Sequence, residues 1–172
     1  MQPSPQLDAL RDADRQPVSA WFQVFLEDHI RYWGPMLGVG QSDAAIRRHV
    51  DDHDLVALGW ADLLEAGQSR ERLVQVARDA DGAPLGIVQA LTSQDGYLRV
   101  PVGTLQWIYV DDVARGRGVG RLLMNAALDW MSSRGCVGSE VYVSANNQAA
   151  VSLYEELGYQ VSDLRLLRPE RS

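Results

Sequence analysis

The chain has 172 residues, a length that suits one ordinary domain, spanning 1–172, with a core of its own. Apolar residues make up 46% and charged residues 23%, the balance of a soluble globular protein, and no apolar run approaches the roughly 18 residues that cross a bilayer. The formal net charge is −7 and every basic residue is an arginine; without a basic face to meet phosphates, nucleic acid is not an expected partner.

The charge is uneven. Residues 1–66 hold 11 acidic residues against 5 arginines. Such a segment attracts a cationic small molecule or a basic peptide, or it is simply a set of solvated helix faces. The first fifteen residues lack the basic start and apolar stretch of a signal peptide. Cys136 is the sole cysteine, which rules out an internal disulfide and a thiolate metal cluster and suits a reducing, cytoplasmic setting.

In chain order, residues 9–13 read as a short first strand. Pro17-Val18-Ser19 then opens a helix in which Trp21, Phe22, Phe25, Ile30 and Trp33 recur at near-helical spacing, stopped by Gly34-Pro35. Ser42 is an N-cap for a second helix with Ala45, Ile46, His49 and Val50 on one side. A third helix covers 55–64 and ends at Gly67. The character changes beyond residue 70. Residues 73–77 and 84–91 read as a hairpin about a turn at 79–82, and residues 103–110 (GTLQWIYV) as a strong strand. A helix follows over 118–134, then a strand at 140–143, a helix over 147–157 and a last strand at 159–167. The order predicts a mixed α+β sheet flanked by helices, with a first strand and helices in 1–70 and the rest of the sheet in 71–172.

The helix from residue 118 is amphipathic: Val119, Leu122, Leu123, Ala126, Ala127, Trp130 and Met131 share one face. Directly before it stands Arg115-Gly116-Arg117-Gly118-Val119-Gly120. Glycines at such a place let an anion approach first-turn amides that have no intrahelical partner, with the helix dipole adding positive charge. Arg115, Arg117 and Arg121 add charged donors around the rim. A tight turn would need only one glycine, so three suggest an anion site. The spacing matches neither a P-loop nor a Rossmann fingerprint.

With these residues the chain resembles the GNAT superfamily of N-acetyltransferases. The family's cofactor signature, Arg/Gln-x-x-Gly-x-Gly/Ala between a strand and a helix, is met by residues 115–120. A second family pattern, Asn-x-x-Ala-x-x-x-Tyr followed by Leu-Gly-Phe/Tyr, is met by Asn147, Ala150, Tyr154 and Leu157-Gly158-Tyr159. The two patterns cover residues 104–160; the segment 15–70 carries no match. The resemblance implies a twisted, mostly antiparallel sheet splayed between its fourth and fifth strands, with acetyl-CoA as cosubstrate and no metal. It implies that the backbones of Ile108 and Val110 bond the pantetheine arm, that amides from Arg117 through Gly118, Val119 and Gly120 to Arg121 bind pyrophosphate, and that Asn147 touches the arm. Tyr154 is then the proton donor to the leaving sulfur; a helical core aromatic is the other reading of that residue.

Some family members carry a glutamate in the fourth strand, and residues 103–110 hold no carboxylate. Glu140 is one candidate base; water is the alternative. Asp111 and Asp112 read as turn residues. Tyr97 is a candidate acceptor contact, and His29, His49 and His53 lack metal-like grouping. The expected activity is acetylation of a small-molecule amine, a cationic one where the acidic balance of residues 1–66 guides the choice. Acetylation of a peptide or a non-catalytic acyl-CoA-binding module are the alternatives, and the last strand offers an edge for a homodimer.

Overall fold

The turn expected at 79–82 is organised by Asp79, whose carboxylate accepts from the amides of Asp81 at 3.0 Å and Ala83 at 2.8 Å. It joins β2 (Arg72–Arg78) to β3 (Pro84–Gln94) as an antiparallel hairpin. In this computed structural model, which describes residues 4–163 and 165–168, the chain forms two compact units. One runs to Val18 and resumes over Trp60–Tyr142; the other holds Ser19–Gly59 and the residues from Val143 onward.

The first unit is a five-stranded sheet in the order β1-β2-β3-β4-β5, with β1 at Gln6–Asp8, β4 at Pro101–Val110 and β5 at Gly138–Val141. Every neighbouring pair is antiparallel except β4 with β5, which is parallel. This is the mixed sheet that the element order predicted, mostly antiparallel as the family resemblance implied. Helix α4 (Val119–Ser133) covers one face through Val119, Leu123, Met124, Ala127 and Met131, all fully or nearly fully buried. It lies very close. A Cβ on Gly86 would stand 3.1 Å from Leu123 Cδ1, and one on Gly103 would stand 2.3 Å from Met131 Sδ.

The first strand lies earlier than residues 9–13, at Gln6–Asp8, and Asp12–Asp14 is a 3-10 turn instead. A tertiary contact explains the shift. Both oxygens of Asp14 accept from the Arg78 guanidinium, at 2.8 and 2.7 Å, while Arg78 also donates to the Ala9 carbonyl at 3.0 Å. Both side chains are buried, and only a turn at 12–14 carries the carboxylate to them. Burial by itself would push the Asp14 carboxyl up, but the bonds from Arg78 and from the Arg11 amide outweigh it and hold it below the usual carboxylate value.

The helices follow the expected order: α1 at Arg15–Trp33, α2 at Asp43–Asp52, α3 at Leu55–Gln68 and α5 at Gln148–Glu156. Ser42 caps α2 by accepting from the Ala45 amide at 3.2 Å, and Ile46 and Val50 are its buried side. Helix α3 extends a full turn beyond the expected residue 64. Its Trp60, Leu63 and Ala66 are buried, and Asp62 accepts from Arg72 at 2.6 Å and from the buried Gln89 at 2.7 Å. Among the described residues of 159–168 no strand forms, and Leu164 lies outside those residues. There the Ser162 hydroxyl donates to the Asp163 carboxylate at 2.9 Å, and Val161 and Leu166 are exposed.

Candidate functional site

The central feature of the first unit is where β4 loses one of its partners. It pairs with β3 along its whole length, but with β5 only from Val102 to Leu105. The change falls at a bulge. Ala90 pairs with Leu105 and Gln89 with Trp107, so Gln106 is an extra residue, and it is exposed. A bulge adds twist and ends pairing, and from Gln106 to Val110 no strand among the described residues borders that side. The sheet is therefore splayed between β4 and β5.

The direction of the backbone follows from one bond. The Asp111 amide donates to the Leu85 carbonyl at 2.9 Å. Bonded and non-bonded pairs alternate in an antiparallel ladder, which makes Gly86–Val110 and Val88–Ile108 non-bonded pairs. Ile108 and Val110 thus turn their N–H and C=O groups away from β3, toward the side β5 has left. Consistently, the Val110 carbonyl accepts from Arg115 Nε at 3.3 Å.

That edge leads through a 3-10 turn, Asp112–Ala114, to the start of α4. Asp111 caps the turn by accepting from the Val113 amide at 3.0 Å, which agrees with its expected turn role. Gly118 is the N-cap of α4, and Leu122 N–H to Gly118 C=O, 3.0 Å, is the first bond of the helix. The amides of Val119, Gly120 and Arg121 precede that bond and point out of the helix end. Gly116 and Gly118 have φ of +70° and +79°, and a Cβ on either would meet no protein atom within 4 Å. These two glycines are required first by the left-handed backbone, a reason distinct from clearing a path for an anion. Gly118→Ala should therefore cost about 1 kcal/mol of stability through strain alone, read as a shift of the urea midpoint with an unchanged slope.

Arg115 is held by three groups. Besides the Val110 carbonyl, it pairs with Asp112 at 2.7 Å and lies 5.8 Å from the centre of the Tyr109 ring. Arg117 donates to the Val113 carbonyl at 3.3 Å, and Arg121 is exposed on the first turn of α4. Glu140, on β5, is exposed and accepts from Thr104 Oγ1 of β4 at 3.0 Å. It sits on the paired stretch of the two strands, before the bulge.

In the second unit, both ends of α5 explain its motif. Asn147 caps the helix, its side-chain oxygen accepting from the Ala150 amide at 3.2 Å. At the other end Gly158 has φ +90°, with Tyr159 N–H on Tyr154 C=O and Gly158 N–H on Glu155 C=O, each at 3.0 Å. This pair of bonds is a Schellman stop, and it brings the Tyr159 ring 5.7 Å from that of Tyr154. Tyr154 is 6% exposed. Burial, with a smaller contribution from Tyr159, pushes its phenol up to about 12. The position is shared by both sequence-level readings of Tyr154, core aromatic and proton donor.

Other aromatic and histidine residues are placed as follows. Trp21, Trp60 and Trp107 are buried core residues. His49 and His53 have ring centres 4.3 Å apart and planes tilted by 38°, and His53 Nδ1–H donates to the His49 carbonyl at 2.9 Å. Tyr97 is 97% exposed at the tip of the β3–β4 loop, where Asp95 accepts from the amides of Tyr97 and Leu98 at 2.9 and 2.6 Å. Two features escaped the sequence. The bulge at Gln106 leaves no motif, and the Asp112–Arg115 pair is signalled only by opposite charges three residues apart.

The chain is similar to known proteins. The chain matches the model of the acetyltransferase (GNAT) family over residues 19–159. It is 44% identical to mycothiol acetyltransferase from Nocardia farcinica over 59 residues, which are 34% of this chain and 20% of that protein, so the chain spans about a fifth of that relative's length. It is 32% identical over 111 residues to the ribosomal protein bS18 alanine N-acetyltransferase of Salmonella typhimurium, covering 63% of this chain and 70% of that one. The structure of an aminoglycoside N-acetyltransferase in complex with CoA superposes with a TM-score of 0.63 at 20% identity, over 100% of this chain and 99% of the other, a likeness of fold. Together with the splayed β4–β5 pair and the glycine-capped start of α4, the match over most of its length shows that the chain belongs to the GNAT family of acetyltransferases.

Proposed function

We propose that the chain is an N-acetyltransferase that moves the acetyl group of acetyl-CoA to an amine of a small molecule. One observation carries this reading: the backbone of Ile108 and Val110 turns to a strandless edge of β4 that runs straight to the amides at the start of α4. A pantetheine arm carries amides that can bond such an edge as a strand would, and its pyrophosphate suits a helix N-terminus. In this proposal Ile108 and Val110 hold the arm. The amides of residues 117–121 bind the pyrophosphate, with the arginines at the rim. Asn147 contributes its side-chain NH2, since its oxygen is committed to Ala150. The Val110 amide polarises the thioester carbonyl, and Tyr154 donates to the leaving sulfur. Glu140 receives the acceptor's proton through water.

For the acceptor we favour a cationic small amine, on the acidic balance of residues 1–66. The Salmonella relative is named for an alanine of a ribosomal protein, which makes a peptide with N-terminal alanine the second acceptor class. Incubation with acetyl-CoA and a panel of polyamines, aminoglycosides, amino acids and alanine-initiated peptides, followed by free-thiol release, tests both. Fastest release with the cationic small amines is expected; faster release with the peptides would select the second class. Coenzyme A binding without turnover on any acceptor would leave a non-catalytic acyl-CoA-binding module.

A further inference from the structure

The two parts of the donor site compete for one side chain. Arg115 Nε occupies the carbonyl of Val110, on the strandless edge, while its Nη2 is paired with Asp112. Yet Arg115 also stands at the entry to α4, three residues before the N-cap Gly118, where a pyrophosphate would draw it. The guanidinium is one rigid fork, so turning its Nε–Nη2 edge to a phosphate gives up both the Val110 carbonyl and Asp112.

We propose that Arg115 is a movable clamp, released from the Val110 carbonyl and turned to the pyrophosphate when coenzyme A binds, and that Asp112 opposes this transfer and so sets the affinity. The inference rests on the acetyl-CoA reading above. Its release is easy because what holds Arg115 is weak. The side chains of Arg115 and Asp112 are 59% and 76% exposed, and exposed ion pairs contribute little. The bond to Val110 is long at 3.3 Å, and the Tyr109 ring is a distant 5.8 Å. A doubly charged pyrophosphate beside helix amides is a stronger partner than one solvated carboxylate. Release also frees the Val110 carbonyl to accept from an amide of the pantetheine arm, so a single movement serves both ends of the donor.

Calorimetric titration with coenzyme A of the unsubstituted protein, Asp112→Asn, Arg115→Gln and the double variant tests the clamp. Asp112→Asn should tighten binding about 2- to 5-fold, the worth of an exposed ion pair. Arg115→Gln should weaken it about 10-fold, the loss of a charge-assisted bond. In the Arg115→Gln background, Asp112→Asn should change nothing, because Asp112 acts through Arg115. Equal tightening in both backgrounds would mean that Asp112 merely repels the phosphates, and no tightening in either would mean that it opposes nothing; each result overturns the clamp. Failure of the unsubstituted protein to bind coenzyme A would instead overturn the acetyl-CoA reading. Both sites are exposed, and unchanged thermal melting verifies that each variant folds.

Discussion

Tyr154→Phe should lower kcat about 10-fold or more while leaving the KM for acetyl-CoA nearly unchanged, because a donor to the leaving sulfur is used in the transition state and not in binding. The high phenol value refines its role. A thiol near 8.5 is a far stronger acid than a phenol near 12. Complete transfer of the phenolic proton to the thiolate would be uphill by roughly 3.5 units, about 5 kcal/mol. In the proposed mechanism Tyr154 would therefore serve as a hydrogen-bond donor to the developing charge, with the proton released from the acceptor ammonium balancing the step. The same shift sets a pH signature. A phenol raised by burial is neutral in the fold through pH 10, and it ionises only near 12. Its contribution to stability is complete below pH 10 and is lost as pH rises from there through about 12. Tyr154→Phe should flatten that alkaline fall, and turnover of the unsubstituted protein should show no limb near 10 from this residue. Unchanged kcat in the variant would return Tyr154 to the role of core aromatic.

Asp14→Ala should destabilise the protein by about 3–5 kcal/mol, since it leaves the Arg78 guanidinium buried without its carboxylate. Replacing both partners by apolar residues, as in Asp14→Leu with Arg78→Met, should cost much less, because no charge is then stranded. Denaturant unfolding of the single and double variants separates the two outcomes. The carboxyl is held below its ordinary value of 3.8, so its contribution is present above about that pH and is lost as pH falls through the lower folded value. Asp14→Asn should accordingly show a shallower acid dependence of the melting temperature; an equal dependence would show that other carboxylates govern acid unfolding.

Local signals were enough for much of this protein. The face of α4, the Ser42 cap, the Asp79 turn and the glycine-arginine segment all depend on residues within a few positions of one another. The polarity of the Asn147 and Gly158 ends of α5 was legible for the same reason. What stayed hidden depends on contacts between distant segments. The start of the sheet moved to Gln6–Asp8 because Arg78, 64 residues away, required Asp14 in a turn. Gln89 in the middle of an apolar strand became a partner of Asp62 on α3. No local preference could have placed the bulge at Gln106, since a bulge exists only relative to the register of the neighbouring strand.

The sequence by itself determined the family motifs and the amphipathic helix that follows the glycine-arginine segment, because helix periodicity is a short-range property. Only the tertiary structure decided which way Ile108 and Val110 direct their backbone groups, where β5 stops, and that Arg115 is engaged by both Val110 and Asp112. Those features are set by strand register and by groups meeting across a turn, and register is a relation between segments that neither segment encodes alone.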